Sequence, residues 1–130
     1  MRILIVDDDQ SERALLSQYL KPYGTCDFAK DGLEAIDAFE QRFNSDEPYD
    51  LVCLDISMPI MDGHTTLKEI RRLESSRGLD HACKVIMITA IRSIRTVMEA
   101  FGDMCDAYFP KPLNKKKFYH ELDSLGLLSR

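Results

Sequence analysis

Short, unbroken apolar runs alternate along this chain with longer stretches in which apolar residues recur every three or four positions. Ile3-Leu4-Ile5-Val6 is brief, continuous and rich in β-branched residues, as expected of a strand covered on both faces. Asp9 with Glu12 reads as a capping box opening a helix that ends near Pro22 and Gly24. Thr25–Ala29 reads as a second strand. Asp31 with Glu34 repeats the cap signal, and Ile36, Phe39 and Phe43 mark one face of the helix that follows. Leu51-Val52-Cys53-Leu54 is the third strand and runs directly into Asp55. After Met58-Pro59 and Asp62-Gly63 comes a helix with Leu67, Ile70 and Leu73 inside. Val85-Ile86-Met87-Ile88 is the fourth strand, ending at Thr89. Ile94, Val97, Met98 and Phe101 then follow helical spacing, closed by Gly102. Ala107-Tyr108-Phe109 is a short fifth strand. Asn114 caps a last helix carrying Phe118, Leu122 and Leu125, which Gly126 can end.

Five strand–helix units in 130 residues predict an α/β protein with a parallel five-stranded sheet and helices on both faces. Right-handed crossovers leave few ways to wind such a sheet. The doubly wound, flavodoxin-like (βα)5 order 2-1-3-4-5 is the expected one. Asn44-Ser45-Asp46-Glu47-Pro48 reads as a polar loop inside the domain rather than a linker. Residues 1–130 are therefore expected to form a single domain with no output segment, either stand-alone or cut at a domain edge.

Composition narrows the setting. Apolar residues make up 45% of the chain and charged residues 30%, the balance of a soluble globular protein rather than a disordered one. No apolar run is long enough to span a bilayer, and Asp7 interrupts the N-terminus too early for a signal peptide. A cytoplasmic location is expected. Cys26, Cys53, Cys83 and Cys105 are widely spread and read as small buried thiols; His64, His81 and His120 are scattered too. A net charge of −5 disfavours nucleic acid as a direct partner, and Lys115-Lys116-Lys117 reads as the solvated first turn of a helix.

In an open parallel sheet, ligands bind beyond the carboxyl ends of the strands, where the strand order reverses. The residues expected there are Asp7, Asp8 and Asp9 after the first strand, Asp55 after the third, Thr89 after the fourth and Lys111 after the fifth. The first and third strands are neighbours in the expected order, so Asp8 and Asp55 should face one crevice. Hard oxygen ligands without cysteine or histidine suit Mg²⁺. Asp9 reads more simply as a helix cap. A carboxylate beside Mg²⁺ and a lysine can accept a phosphoryl group, because that chemistry needs positioning and charge neutralisation more than covalent work. Asp55 is then the nucleophile, with Lys111 and the Thr89 hydroxyl serving phosphoryl oxygens.

With these residues in view, the sequence resembles the receiver domain of two-component response regulators over essentially its whole length. The resemblance implies that Asp7 and Asp8 are the acidic pair, with Asp8 a direct Mg²⁺ ligand and Asp7 acting partly through water. Asp55, in Leu54-Asp55-Ile56-Ser57-Met58-Pro59 followed by Met61-Asp62-Gly63, is the implied phosphoacceptor, and the Ser57 backbone carbonyl a further metal ligand. Thr89 matches the switch hydroxyl, Lys111 the lysine that pairs with the phosphoryl group before a cis bond to Pro112, and Tyr108 the aromatic switch position. The implied partners are a histidine kinase or phosphotransfer protein as donor and an unidentified downstream protein as receiver. The output surface would be the fourth and fifth predicted helices with the fifth strand, also a candidate homodimer face. The domain would then be no enzyme beyond catalysing its own phosphorylation and slow autodephosphorylation.

Two positions depart from the commoner receiver pattern: Ser57 is small where a larger residue is frequent, and Ile91 is apolar two residues after Thr89. An apolar Ile91 would exclude the attacking water and favour slow hydrolysis. Two rivals remain at this level. One is a pseudo-receiver that binds partners without being phosphorylated. The other is a small aspartyl-phosphate phosphatase of the haloacid dehalogenase type, using Asp7-Asp8-Asp9 as a D-x-D motif.

Overall fold

The structure is a computed structural model and describes residues 1–56, 63–76, 82–90, 95 and 104–128. Five strands, β1 (Arg2–Val6), β2 (Thr25–Ala29), β3 (Leu51–Asp55), β4 (Lys84–Thr89) and β5 (Ala107–Pro110), form one parallel sheet in the order β2-β1-β3-β4-β5. Four helices are described: α1 (Gln10–Leu20), α2 (Gly32–Asn44), α3 (Gly63–Ser76) and α4 (Lys115–Ser124). The helix expected over 94–101 lies outside the described residues apart from Arg95, as do Ser57, Met58, Pro59, Asp62, Ile91 and Gly102.

The unbroken apolar runs are explained by a sheet covered on both sides. Alternate residues of each strand point to opposite faces. Leu4, Val6, Val52, Leu54, Val85 and Met87 pack with Phe39 and Phe43 of α2 and Leu67, Ile70 and Leu73 of α3. Ile3, Ile5, Leu51, Cys53, Ile86 and Ile88 pack with Leu16 and Leu20 of α1 and Phe118 and Leu122 of α4. Cys53 and Cys83 are buried, whereas Cys26 and Cys105 are only half-buried. Among the described residues no helix is long and apolar enough to cross a membrane.

The caps follow the sequence with one refinement. Asp9, Asp31 and Asn114 each accept a backbone N–H in the first turn of the helix they precede, from Ser11, Glu34 and Lys117. The reciprocal half of the capping boxes differs from expectation. Glu34 accepts from the Lys30 N–H, one residue earlier than Asp31, and the Asp9 N–H goes to Asp7 Oδ1 instead of Glu12. At the other end of α4, Leu127 N–H bonds Leu122 O at 3.0 Å and Gly126 N–H bonds Asp123 O at 3.0 Å. Gly126 sits at φ +76° between them, the left-handed position that a helix stop of this type requires.

The end of the sheet opposite the expected site is tied by polar side chains. Arg71 of α3 donates to Cys83 O (2.9 Å), Met104 O (2.9 Å) and Glu74 Oε1 (2.8 Å), so one guanidinium joins α3 to the chain entering β4 and β5. At the β2 edge, Asp27 accepts from Tyr49 Oη (2.7 Å) and Arg42 Nη2 (2.8 Å). Burial and the bond to Asp27 push the Tyr49 phenol up to about 12.

Candidate phosphoacceptor site

Parallel register brings the expected residues to one edge. Val6 pairs with Leu54, so one step further along both strands Asp7 stands beside Asp55. Asp55 pairs with Ile88, which puts Thr89 one step beyond it on β4. Thr89 pairs in turn with Pro110, and Lys111 N–H bonds Thr89 O at 2.7 Å, so the fifth strand delivers Lys111 to the same edge. The Lys111–Pro112 peptide is cis, as the resemblance implied.

Carboxylate oxygens of Asp7, Asp8 and Asp55 all lie within 4.8 Å of one another. Asp7 and Asp55 are buried (1% and 5% exposed), and Asp8 is exposed. Three carboxylate oxygens gathered this closely, with no cysteine or histidine among them, make a hard, all-oxygen set of the kind that suits Mg²⁺. The Lys111 ammonium lies 3.1 Å from Asp7 Oδ2 and 3.6 Å from Asp55 Oδ2. Burial pulls the Lys111 pKa down, but the charge of Asp55 and the hydrogen bond and charge of Asp7 outweigh it and hold it above the ordinary lysine value.

Asp9 stands apart from the trio in role. Its carboxylate accepts from the Ser11 hydroxyl (2.6 Å) and N–H (2.9 Å), which lower its pKa, and it serves α1 as the cap the sequence suggested. Thr89 is fully buried at the end of β4. Tyr108 is half-buried against the cluster on the α2 and α3 side of the sheet. Ser57 lies outside the described residues.

The structure adds a steric role for Gly63, which the sequence offered only as part of the motif after Asp55, and one contributor that the sequence did not single out, Arg13. Gly63 opens α3 with its N–H on Ile56 O at 2.8 Å. A Cβ there would meet Asp55 O at 2.5 Å and Ile56 Cα at 2.6 Å, so the helix start presses on the acceptor's own backbone. Arg13 Nη1 donates to Asp7 O at 2.6 Å. No pattern along the chain pointed to this contact.

Fold and site together define a doubly wound α/β protein with an acidic, lysine-bridged cluster at the sheet edge where the strand order reverses. Comparison with known proteins sharpens this: the response regulator receiver domain family model matches residues 3–123. The chain belongs to that family and is a receiver domain of two-component signalling, a class of signalling switches rather than classical enzymes. It is 30% identical over 126 residues to the chemotaxis protein CheY of Treponema pallidum, covering 95% of this chain and 81% of that one. It is 35% identical over 113 residues to the transcriptional regulatory protein ZraR of Escherichia coli, covering 86% of this chain but 23% of the regulator. The chain thus spans about a quarter of the length of the transcriptional regulators it matches. Among solved structures, the CheX–CheY–BeF3–Mg²⁺ complex of Borrelia burgdorferi superposes with a TM-score of 0.82 at 29% identity, over 97% of this chain and 89% of that one.

Proposed function

We propose that this domain is a phosphoacceptor switch in which Asp55 takes a phosphoryl group from a phosphohistidine on a histidine kinase or phosphotransfer protein. An Asp55 carboxylate oxygen attacks phosphorus, the phosphorus–nitrogen bond breaks, and the imidazole leaves with the electron pair. The observation that carries this reading is Lys111 held between Asp7 and Asp55, a cation already placed against the acceptor. Lys111 then pairs with a phosphoryl oxygen, and the Thr89 hydroxyl with nearby backbone N–H groups serves another. Asp7, Asp8 and Asp55, with the Ser57 carbonyl, would hold Mg²⁺, which when bound offsets charge on the transferred group. The complex of the Borrelia CheY with BeF3 and Mg²⁺ supports carrying this chemistry over.

The new charge on Asp55 biases a two-state element. Thr89 moves toward the phosphoryl oxygens, Tyr108 turns into the space released, and the surface of α4, β5 and the segment between β4 and β5 is recast for a downstream protein or a second copy. The domain acts in the cytoplasm as a single unit over residues 1–130, and its only catalysis is its own phosphorylation and slow autodephosphorylation. Capping by Asp9 argues against the D-x-D phosphatase alternative, because that carboxylate is committed to Ser11. A full set of acids and the lysine argues against a pseudo-receiver.

The test is incubation with acetyl phosphate and Mg²⁺, read by intact mass. The wild type gains one phosphoryl group that alkaline hydroxylamine removes, and Asp55→Asn gains none. No uptake by the wild type, or equal uptake by Asp55→Asn, overturns the reading.

A further inference from the structure

We infer that Arg13 is a positioning residue for the acidic site: by holding the Asp7 carbonyl it sets the direction of Asp8, and with it the affinity for a divalent cation. The inference rests on the phosphoacceptor reading above, since it concerns the same cation.

Arg13 closes the first turn of α1, and its half-buried guanidinium donates to Asp7 O at 2.6 Å. Helical side chains lean toward the N-terminus, so a long one here reaches back over the start of its own helix. That end of a helix is electropositive and disfavours a cation. The contact with Asp7 offsets that penalty.

What the contact does follows from how Asp7 is held. Its N–H bonds Ala29 O at 3.1 Å, its Oδ1 accepts from Asp9 N–H at 3.0 Å, and its Oδ2 from Lys111 at 3.1 Å. The carbonyl is the fourth point, and Arg13 occupies it. That carbonyl shares one planar unit with the Asp8 N–H and Cα. Fixing it therefore fixes the plane from which the Asp8 side chain departs. Asp7 and Asp55 are buried, with the Lys111 ammonium against both; Asp8 is the exposed member of the trio, so the direction of its side chain rests on its backbone.

Two effects of removing Arg13 have opposite signs, which makes the idea testable. Loss of a positive charge beside three carboxylates would by itself strengthen cation binding. Loss of the carbonyl bond frees the peptide and weakens it. Groups that orient metal ligands commonly contribute about tenfold or more in affinity, so positioning should outweigh the charge.

The experiment is Mg²⁺ titration by calorimetry on the wild type, Arg13→Gln and Arg13→Lys, with thermal unfolding of each in the absence of metal. Arg13→Gln should weaken Mg²⁺ binding about tenfold while unfolding within a few degrees of the wild type. Arg13→Lys, which keeps the charge but not the planar fork, should fall between. Unchanged or tighter binding in Arg13→Gln overturns the inference. So does weakening matched by a comparable loss of fold in both variants, for Arg13 then serves stability alone. A wild type that binds no Mg²⁺ overturns the phosphoacceptor reading itself, a result distinct from equal binding by wild type and variant.

Discussion

Lys111 Nζ stands 3.1 Å from Asp7 Oδ2, a contact between residues 104 positions apart that closes the acidic edge of the sheet. Because Asp55 lies 3.6 Å from the same ammonium, one lysine serves two buried carboxylates. Lys111→Met should leave both without their cation. The expected cost is about 1–2 kcal/mol near neutral pH, below the usual figure for breaking a buried pair because the lysine side chain stays 20% exposed. Urea unfolding measures it, and added Mg²⁺ should restore more stability to the variant than to the wild type.

The same pair sets an alkaline limit. The Lys111 pKa is raised on folding, so its contribution is complete below the ordinary lysine value of 10.5 and is lost as pH rises through the higher folded value. Wild-type stability should therefore fall more steeply above pH 10.5 than that of Lys111→Met, followed by circular dichroism in urea at stepped pH.

Gly63→Ala places a methyl group 2.5 Å from the carbonyl oxygen of Asp55, where only backbone can yield. Overpacking of this kind costs about 1–3 kcal/mol. It should also displace the acceptor, so phosphoryl uptake from acetyl phosphate should drop several-fold even at temperatures where the variant stays folded. Uptake at the wild-type rate would show that the start of α3 can shift without moving Asp55.

Far from the site, Arg71→Leu removes donors from Cys83 O and Met104 O and leaves the buried Glu74 carboxylate without its cation, held by the Cys83 N–H. A loss of about 3 kcal/mol is expected by chemical denaturation. Arg71→Lys should recover only part of it, since one ammonium cannot face three elements at once.

At the β2 edge, Tyr49→Phe should cost about 1 kcal/mol, the worth of one bond to a charged acceptor on a partly exposed surface. Asp27 is pulled up by burial, but Tyr49 and Arg42 outweigh this and lower its pKa below 3.8. Its contribution is therefore complete above 3.8 and is lost as pH falls through the lower folded value. The gap between wild type and Tyr49→Phe in urea midpoint should narrow below that pH.

Much of the fold was legible in the chain because burial leaves a periodic trace. Ile3–Val6, Leu51–Leu54 and Val85–Ile88 are apolar without a break since both faces of the sheet are covered, and Asp9, Asp31 and Asn114 sit where each helix needs an acceptor. Asp55, Thr89 and Lys111 were legible as strand-end residues, and the order 2-1-3-4-5 then brings them together. Capping reciprocity was misread at Glu12 and Glu34, because which N–H a carboxylate reaches depends on the loop's path rather than on spacing.

The sequence by itself determined the strands, the faces they bury and the edge on which the acids gather, since these follow from local side-chain periodicity and from right-handed crossovers. Only the tertiary structure decided that Lys111 rests on Asp7 as well as Asp55, that Arg13 turns back to the Asp7 carbonyl, that Gly63 must lack a side chain, and that Arg71 ties the opposite end. Those are contacts of a few ångströms between particular atoms. Their geometry is set by how separate elements close on one another, and no pattern along the chain encodes it.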